Sequence, residues 1–242
     1  MRVIIYAAGV SNRLNSIAKN GLKGLIKLNG QRIIEHQLDW IVNQDVSEII
    51  IVIGLEHELY REIIGDSYKG KSVIYIYNPD YRSKGNMLSL WCAREFCDTD
   101  TLFTTSDLIC DYEDIAEFNN NKSPNKILID SRSKELFDDS DPVKVTINNN
   151  AITNIQKNTD ELESVDGLAI GLYKFSKDGI KNIITSIENK INSGNDNLSL
   201  YYAIDNVLKM FDVKPIYAKN CRWIDIDTPK DLEIAKKFFQ KG

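Results

Sequence analysis

Apolar residues fall in short, nearly unbroken runs separated by stretches of helical spacing: VIIYA at 3–7, EIIIVIG at 48–54, SVIYIY at 72–77 and TLFTTS at 101–106. Runs of this length, rich in β-branched residues and lacking polar alternation, predict strands buried on both faces, as in a parallel sheet. Between them Ile34, Leu38, Ile41 and Val42 recur on one face of a helix, and Asn86 stands where it would cap a second helix running through Leu90 and Ala93. The alternation of strand and helix predicts an α/β fold with a doubly wound, mostly parallel, Rossmann-like sheet, which binds its ligands at the carboxyl ends of the strands.

Beyond Asp107 the pattern loosens. ILIDS at 127–131, VKVTI at 143–147 and AITNIQ at 151–156 read as strands without full crossover helices, so the C-terminal part is expected to be mixed. NNNKSPN at 119–125 and the acidic stretch 138–141 read as surface loops, and Asn148–Asn150 as a hairpin turn. A polar helix is expected near 177–192, then a strongly amphipathic one carrying Leu200, Ile204, Val207, Leu208 and Phe211. Pro229 suits the first position of a terminal helix. No loop is long enough for a linker and no repeat is present, so residues 1–242 are expected to form one domain.

Composition narrows the function classes. With 43% hydrophobic and 27% charged residues the chain can bury a sizeable core. Its net charge of -5 offers no global positive field for nucleic acid or an acidic membrane. Four cysteines without CxxC spacing and only two histidines, His36 and His57, argue against zinc. The two histidines are expected to be surface or boundary residues. No leader pattern and no run of 18 apolar residues is seen, so a cytoplasmic protein with reduced thiols is expected.

Candidate chemistry begins where the first strand ends, in Ala7, Ala8, Gly9, Val10, Ser11, Asn12 and Arg13, with Lys23 ten positions further on. Small residues let backbone N–H groups approach phosphate oxygens, and the two cations can neutralise a triphosphate. The segment is neither GxxxxGK[ST] nor GxGxxG, and an ordinary strand-to-helix turn with a solvated Arg explains it equally well. Asp107 follows a buried strand, where a carboxylate needs a cation or a partner; the other reading has it capping a helix that starts near Asp111. Asp225 and Asp227 alternate with Ile224 and Ile226, which places both carboxylates on one face of a strand, suited to a hard cation or to an exposed edge.

Taken together, IIYAAGVSNRL at 4–14 and LKGLIKLNGQRIIEHQL at 22–38 resemble the signature of sugar-phosphate and phosphocholine type nucleotidyltransferases, LAAGxGxRL followed by PKxLxxLxGKPLIEH. The resemblance extends through SDL at 106–108 and WIDIDTPKDL at 223–232. The chain departs from the pattern at Asn12, where many members carry Gly, at Leu22 in place of Pro, and at Ser106 and Leu108 around the Asp. The resemblance implies a nucleotide-binding half over 1–120 and an acceptor-binding and metal half over 121–242. It implies Mg2+ on Asp107 and Asp225, with Asp227 supporting, Lys23 on the α-phosphate and the incoming oxygen, and Arg13 on the departing phosphates. Ala7, Ala8, Gly9, Ser11, Asn12, Gly85, Asn86 and Ser106 would hold the nucleotide. The Asn-x-x-Ser-Leu pattern from Asn86 resembles the phosphocholine branch, which points to CTP.

For the acceptor, Arg132 and Lys144 are candidate clamps for an anion, and Tyr173 is a candidate ring for an ammonium group. The expected partners are therefore an NTP and a phosphorylated small molecule, without nucleic acid or membrane, and a homodimer is allowed. A sugar-1-phosphate nucleotidyltransferase, a non-catalytic nucleotide sensor and a metal-dependent glycosyltransferase are the competing readings. Lys23 and Asp107, both retained, speak against the sensor.

Overall fold

The computed structural model describes residues 1–9, 11–14, 22–54, 56–82, 85–131, 142–157, 165–194, 199–220 and 222–239. In chain order the strands are β1 (Arg2–Ala7), β2 (Lys27–Leu28), β3 (Gln31–Arg32), β4 (Glu48–Ile53), β5 (Ser67–Tyr68), β6 (Lys71–Tyr77), β7 (Thr101–Thr105), β8 (Leu108–Cys110), β9 (Lys126–Asp130), β10 (Val143–Asn148), β11 (Ala151–Lys157), β12 (Gly167–Phe175), β13 (Lys214–Tyr217) and β14 (Trp223–Asp225). The helices are α1 (Ile33–Ile41), α2 (His57–Ile64), α3 (Met87–Cys92), α4 (Tyr112–Asn120), α5 (Lys177–Asn192), α6 (Leu200–Leu208) and α7 (Pro229–Phe238).

The four N-terminal apolar runs become β1, β4, β6 and β7, which pair in parallel in the order β7-β1-β4-β6. Because side chains alternate across a strand, each run supplies two cores. Val3, Ile5, Ile49 and Ile51 face a layer containing Leu38 and Trp40 of α1, while Ile4, Tyr6, Ile50 and Val52 face the layer that α5 and α6 complete. This two-sided burial is why no polar alternation is seen. The run in β6 is only half-buried, contrary to the expectation from its apolar pattern, because the two-residue β5 is its sole neighbour on that side.

The second half is mixed, as expected. The long strand β12 runs antiparallel to β7 through Leu172–Phe175 and then to β10 through Leu168 and Gly167, with β9 on its other edge. Gly171, at φ +84°, breaks the register between Ala169 and Tyr173, and that kink lets one strand serve both partners. Asn149 and Asn150, both at positive φ, make the predicted hairpin turn. Two readings are corrected, a surface loop and a polar helix. Asn125 is buried and accepts from the Ser176 backbone N–H at 2.9 Å, and the helix expected to be polar buries Ile180, Ile183 and Ile187 on one face. The acidic stretch 138–141 lies outside the described residues.

Candidate active site

A cleft of about 650 Å3 opens at the carboxyl ends of β1 and β7. Its geometry is set by backbone pairing. β8 and β14 form a small antiparallel ribbon in which Asp225 sits opposite Leu108, and the Ile226 N–H donates to the Asp107 carbonyl at 3.1 Å. Two carboxylates 118 positions apart in sequence are thereby brought to one wall of the cleft. Asp107 does not cap a helix; Asp111 does that for α4 by accepting from the Glu113 N–H.

β14 ends at Asp225, so Asp227 lies beyond it and strand alternation does not govern where it points. It is held instead by the start of α7. Thr228 is the N-cap, Pro229 follows, and Asp231 closes a capping box while also accepting from the Asp227 N–H at 3.1 Å. Asp227, expected as a supporting metal ligand, meets two cations: Lys23 Nζ donates to Oδ1, and Arg13 lies 3.3 Å from Oδ2. The Ser11 hydroxyl donates to the Asp227 carbonyl at 3.3 Å, tying the N-terminal loop to the C-terminal one.

Lys23 is the centre of this cluster. Its ammonium also donates to Asp107 Oδ2 at 2.6 Å. Burial opposes charge on both groups, but the two carboxylates hold the Lys23 pKa above its ordinary value. Burial likewise works against the Asp107 carboxylate, yet the Lys23 charge and hydrogen bond, together with Thr105 and its own backbone N–H, keep its pKa below the usual range. The pair is ionic at neutral pH. An ammonium has three donors, and among the described residues Asp107 and Asp227 engage two of them, leaving one for a ligand oxygen.

The loop carrying Lys23 comes this close because Gly24 has no side chain. A Cβ there would meet the Tyr60 hydroxyl at 3.0 Å and the Ser106 Cβ at 3.2 Å. At Gly9, by contrast, a Cβ would meet nothing within 4 Å, since that face is open cleft. Gln37, buried on α1, donates from Nε2 to the Thr105 carbonyl at 2.6 Å and the Leu108 carbonyl at 2.9 Å, bracing both sides of Ser106 and Asp107. Sequence reasoning missed Gln37. Its signal was a polar residue inside the apolar stripe of Ile34, Leu38 and Ile41.

Residues 3–136 match the MobA-like NTP transferase domain. The chain belongs to that family. Nucleotidyl transfer is accordingly its chemistry, and the cleft is the candidate site for it. The chain is 23% identical over 257 residues to CTP:phosphoglutamine cytidylyltransferase of Campylobacter jejuni subsp. jejuni, covering 97% of this chain and 98% of that protein. It is 32% identical over 109 residues to CMP-5'-(3-aminopropyl)phosphonate synthase of Streptomyces rubellomurinus, a match that spans 45% of this chain and 17% of that protein. The solved CTP:phosphocholine cytidylyltransferase of Streptococcus pneumoniae has the same fold, with a TM-score of 0.79 at 18% identity, covering 98% of this chain and 97% of that one.

In this NTP transferase the remaining predicted residues divide. Ala8, Gly9, Gly85, Asn86 and Ser106 line the cleft with Arg13, Lys23, Asp107, Asp225 and Asp227. Ala7 and Ser11 sit behind that wall, both buried. Asn12 lies in the short 3-10 turn Asn12–Leu14, beside Ser11. Asn86 does not cap its own helix: its Oδ1 accepts from the Leu200 N–H at 2.9 Å, at the start of α6. Tyr173, the expected ammonium ring, is 2% exposed, stacked on Phe103 at 5.1 Å, and does not line the cleft. Lys144 also does not line the cleft, whereas Val143 and Lys157 do, the latter missed in the sequence. Arg132 lies outside the described residues.

His36 Nε2 lies 3.2 Å from the Leu28 carbonyl, away from the cleft lining. No helix among the described residues is long and apolar enough to cross a membrane.

Proposed function

We propose that the enzyme transfers CMP from CTP to a phosphorylated small molecule, releases pyrophosphate and requires Mg2+. The convergence of Lys23, Arg13, Asp107, Asp225 and Asp227 at one cleft carries the reading, because these groups offset charge rather than move protons. An acceptor phosphate is already ionised near neutral pH, so the task is to align its oxygen with the α-phosphorus and to damp the repulsion between two anions. Lys23, fixed by two carboxylates, presents its third N–H to the meeting oxygens. Arg13, whose side chain is 59% exposed and touches Asp227 through one nitrogen, retains donors for the departing phosphates. The open face at Gly9 leaves room for phosphate against the backbone.

The donor set suits a hard cation. Mg2+ is held by one or two carboxylates and completed by substrate phosphates, and Asp107 and Asp225, on adjoining backbone, would supply those two. Such a cation, when bound, neutralises phosphate charge. CTP is supported by the cytidylyltransferases among the relatives. The test is pyrophosphate release with each of the four NTPs, Mg2+ and a panel of phosphocholine, 2-aminoethylphosphonate, phosphorylated amino acids and glucose 1-phosphate. Turnover with CTP and a phosphorylated amine is expected. Turnover confined to a sugar 1-phosphate would move the chain to the sugar-nucleotide branch, and silence across the panel would refute catalysis of this class.

A further inference from the structure

Gly85 and Asn86 line the cleft, and Asn86 immediately precedes α3, its carbonyl accepting from the Ser89 N–H at 3.1 Å. Its backbone is therefore fixed by α3, while its side chain crosses to another element. Asn86 Oδ1 accepts from the Leu200 N–H at 2.9 Å, 114 positions away in sequence. Leu200 is the first residue of α6, and the next residue, Tyr201, lines the same cleft on the side formed by the second half of the chain. Ser199 caps α6 independently, its hydroxyl accepting from the Tyr201 N–H at 3.3 Å. The first turn of α6 thus depends on two side chains, one local and one from the segment that leads into α3. Tyr201 in turn stands 6.2 Å from the ring of Tyr173, which is stacked on Phe103. A helix end tied this way moves with the segment that holds it.

We propose that Asn86 is a positioning residue that couples two segments of the cleft lining: nucleotide bound against Gly85 and Asn86 steadies the first turn of α6 and with it Tyr201. The inference rests on the nucleotide reading above. Because coupling between two sites is reciprocal, an acceptor bound against Tyr201 strengthens nucleotide binding by the same factor. An oxygen at position 86 is enough to hold Leu200, so Asp serves in place of Asn for this role and Ala does not.

The test is amide hydrogen exchange with CTP alone, without acceptor, followed separately over residues 7–13 and at Leu200 and Tyr201. In the wild type CTP is expected to slow exchange in both places, by about 5-fold or more at α6. With CTP raised in each variant until the response at 7–13 saturates, Asn86→Ala loses the response at α6, while Asn86→Asp restores it. Ser199→Ala, which weakens the same helix end without removing the Asn86 contact, raises basal exchange but keeps the CTP response. A purely structural cap would make Ser199→Ala and Asn86→Ala alike, and that result overturns the proposal. Protection at 7–13 without any at α6 in the wild type overturns the coupling alone; protection at neither place overturns the coupling together with the nucleotide reading.

Discussion

Lys23 Nζ and Asp107 Oδ2 are 2.6 Å apart, joining the segment after the first strand to the turn between β7 and β8. Both side chains are largely buried, so neither charge is solvated if the other is removed. Lys23→Ala is expected to lower kcat on the order of 10²- to 10³-fold, the scale of one preorganised charge. It should also lower stability by about 1–3 kcal/mol, through the carboxylate left behind. Urea denaturation of Lys23→Ala, Asp107→Asn and the double variant should show a coupling of about 0.5–3 kcal/mol. Additive effects would mean that the pair is not formed in solution.

Asp225 and Asp227 look equivalent in sequence and are not equivalent in the structure. Asp225 adjoins Asp107 through the β8–β14 ribbon, whereas Asp227 holds Lys23 and Arg13. With the proposed cation, Asp225→Ala should raise the half-saturating Mg2+ concentration by about 10-fold or more, since even outer partners of a metal site are worth 10- to 100-fold. Asp227→Ala should leave that requirement alone and raise the KM for the NTP, because it loosens two cations. The same Mg2+ titration run on both variants decides, and equal shifts would put both carboxylates on the metal.

Gly24 is a sharper probe of loop position. Alanine there would press on the Tyr60 hydroxyl and on Ser106, and Tyr60 is too buried to retreat. The expected cost is about 1–3 kcal/mol for overpacking, with kcat reduced by about 10-fold as Lys23 is pushed from its place. Gly9→Ala is the control: with nothing within 4 Å its stability should stay within about 0.5 kcal/mol of wild type, while its methyl group enters the cleft and raises the KM for the NTP. Equal thermal stability in Gly24→Ala and Gly9→Ala would show that the loop yields freely.

What could be read in the sequence was whatever is written contiguously. The runs that became β1, β4 and β7 declare themselves because two-sided burial removes polar alternation, and the small residues before Arg13 mark a strand end open to ligand. Asp107 stood out because a buried strand led into it. What the sequence hid depends on contacts between distant segments. The place of Asp227 past the strand end is one such case, because nothing local announces that β14 stops at Asp225. Asn86 was expected to cap α3, the helix that follows it, and its true partner is 114 positions away. Tyr173 has the composition of a ligand ring, but β12 carries it between β7 and β9, where it packs as core. Gln37 shows the intermediate case, where a single polar residue in an apolar stripe gave a signal that only the fold explains.

The same dependence on pairing decides which cation of the β10–β11 hairpin faces the cleft. Val143 and Lys157 are directly opposite one another in the β10–β11 pair, so their side chains share a face, and both line the cleft. Lys144 follows Val143 by one position and therefore points to the other face of the strand. A lysine on the cleft face that contacts an anionic acceptor would be felt in ground-state binding more than in the chemical step. Lys157→Ala should raise the KM for the best phosphorylated acceptor of the panel by about 10-fold, the low end for a charge-assisted hydrogen bond, and leave the KM for the NTP unchanged. Lys144→Ala should alter neither value. Steady-state kinetics at saturating NTP measures both; a reversed pattern, with Lys144 sensitive and Lys157 silent, would mean that the hairpin carrying them sits in a different register when the acceptor is bound.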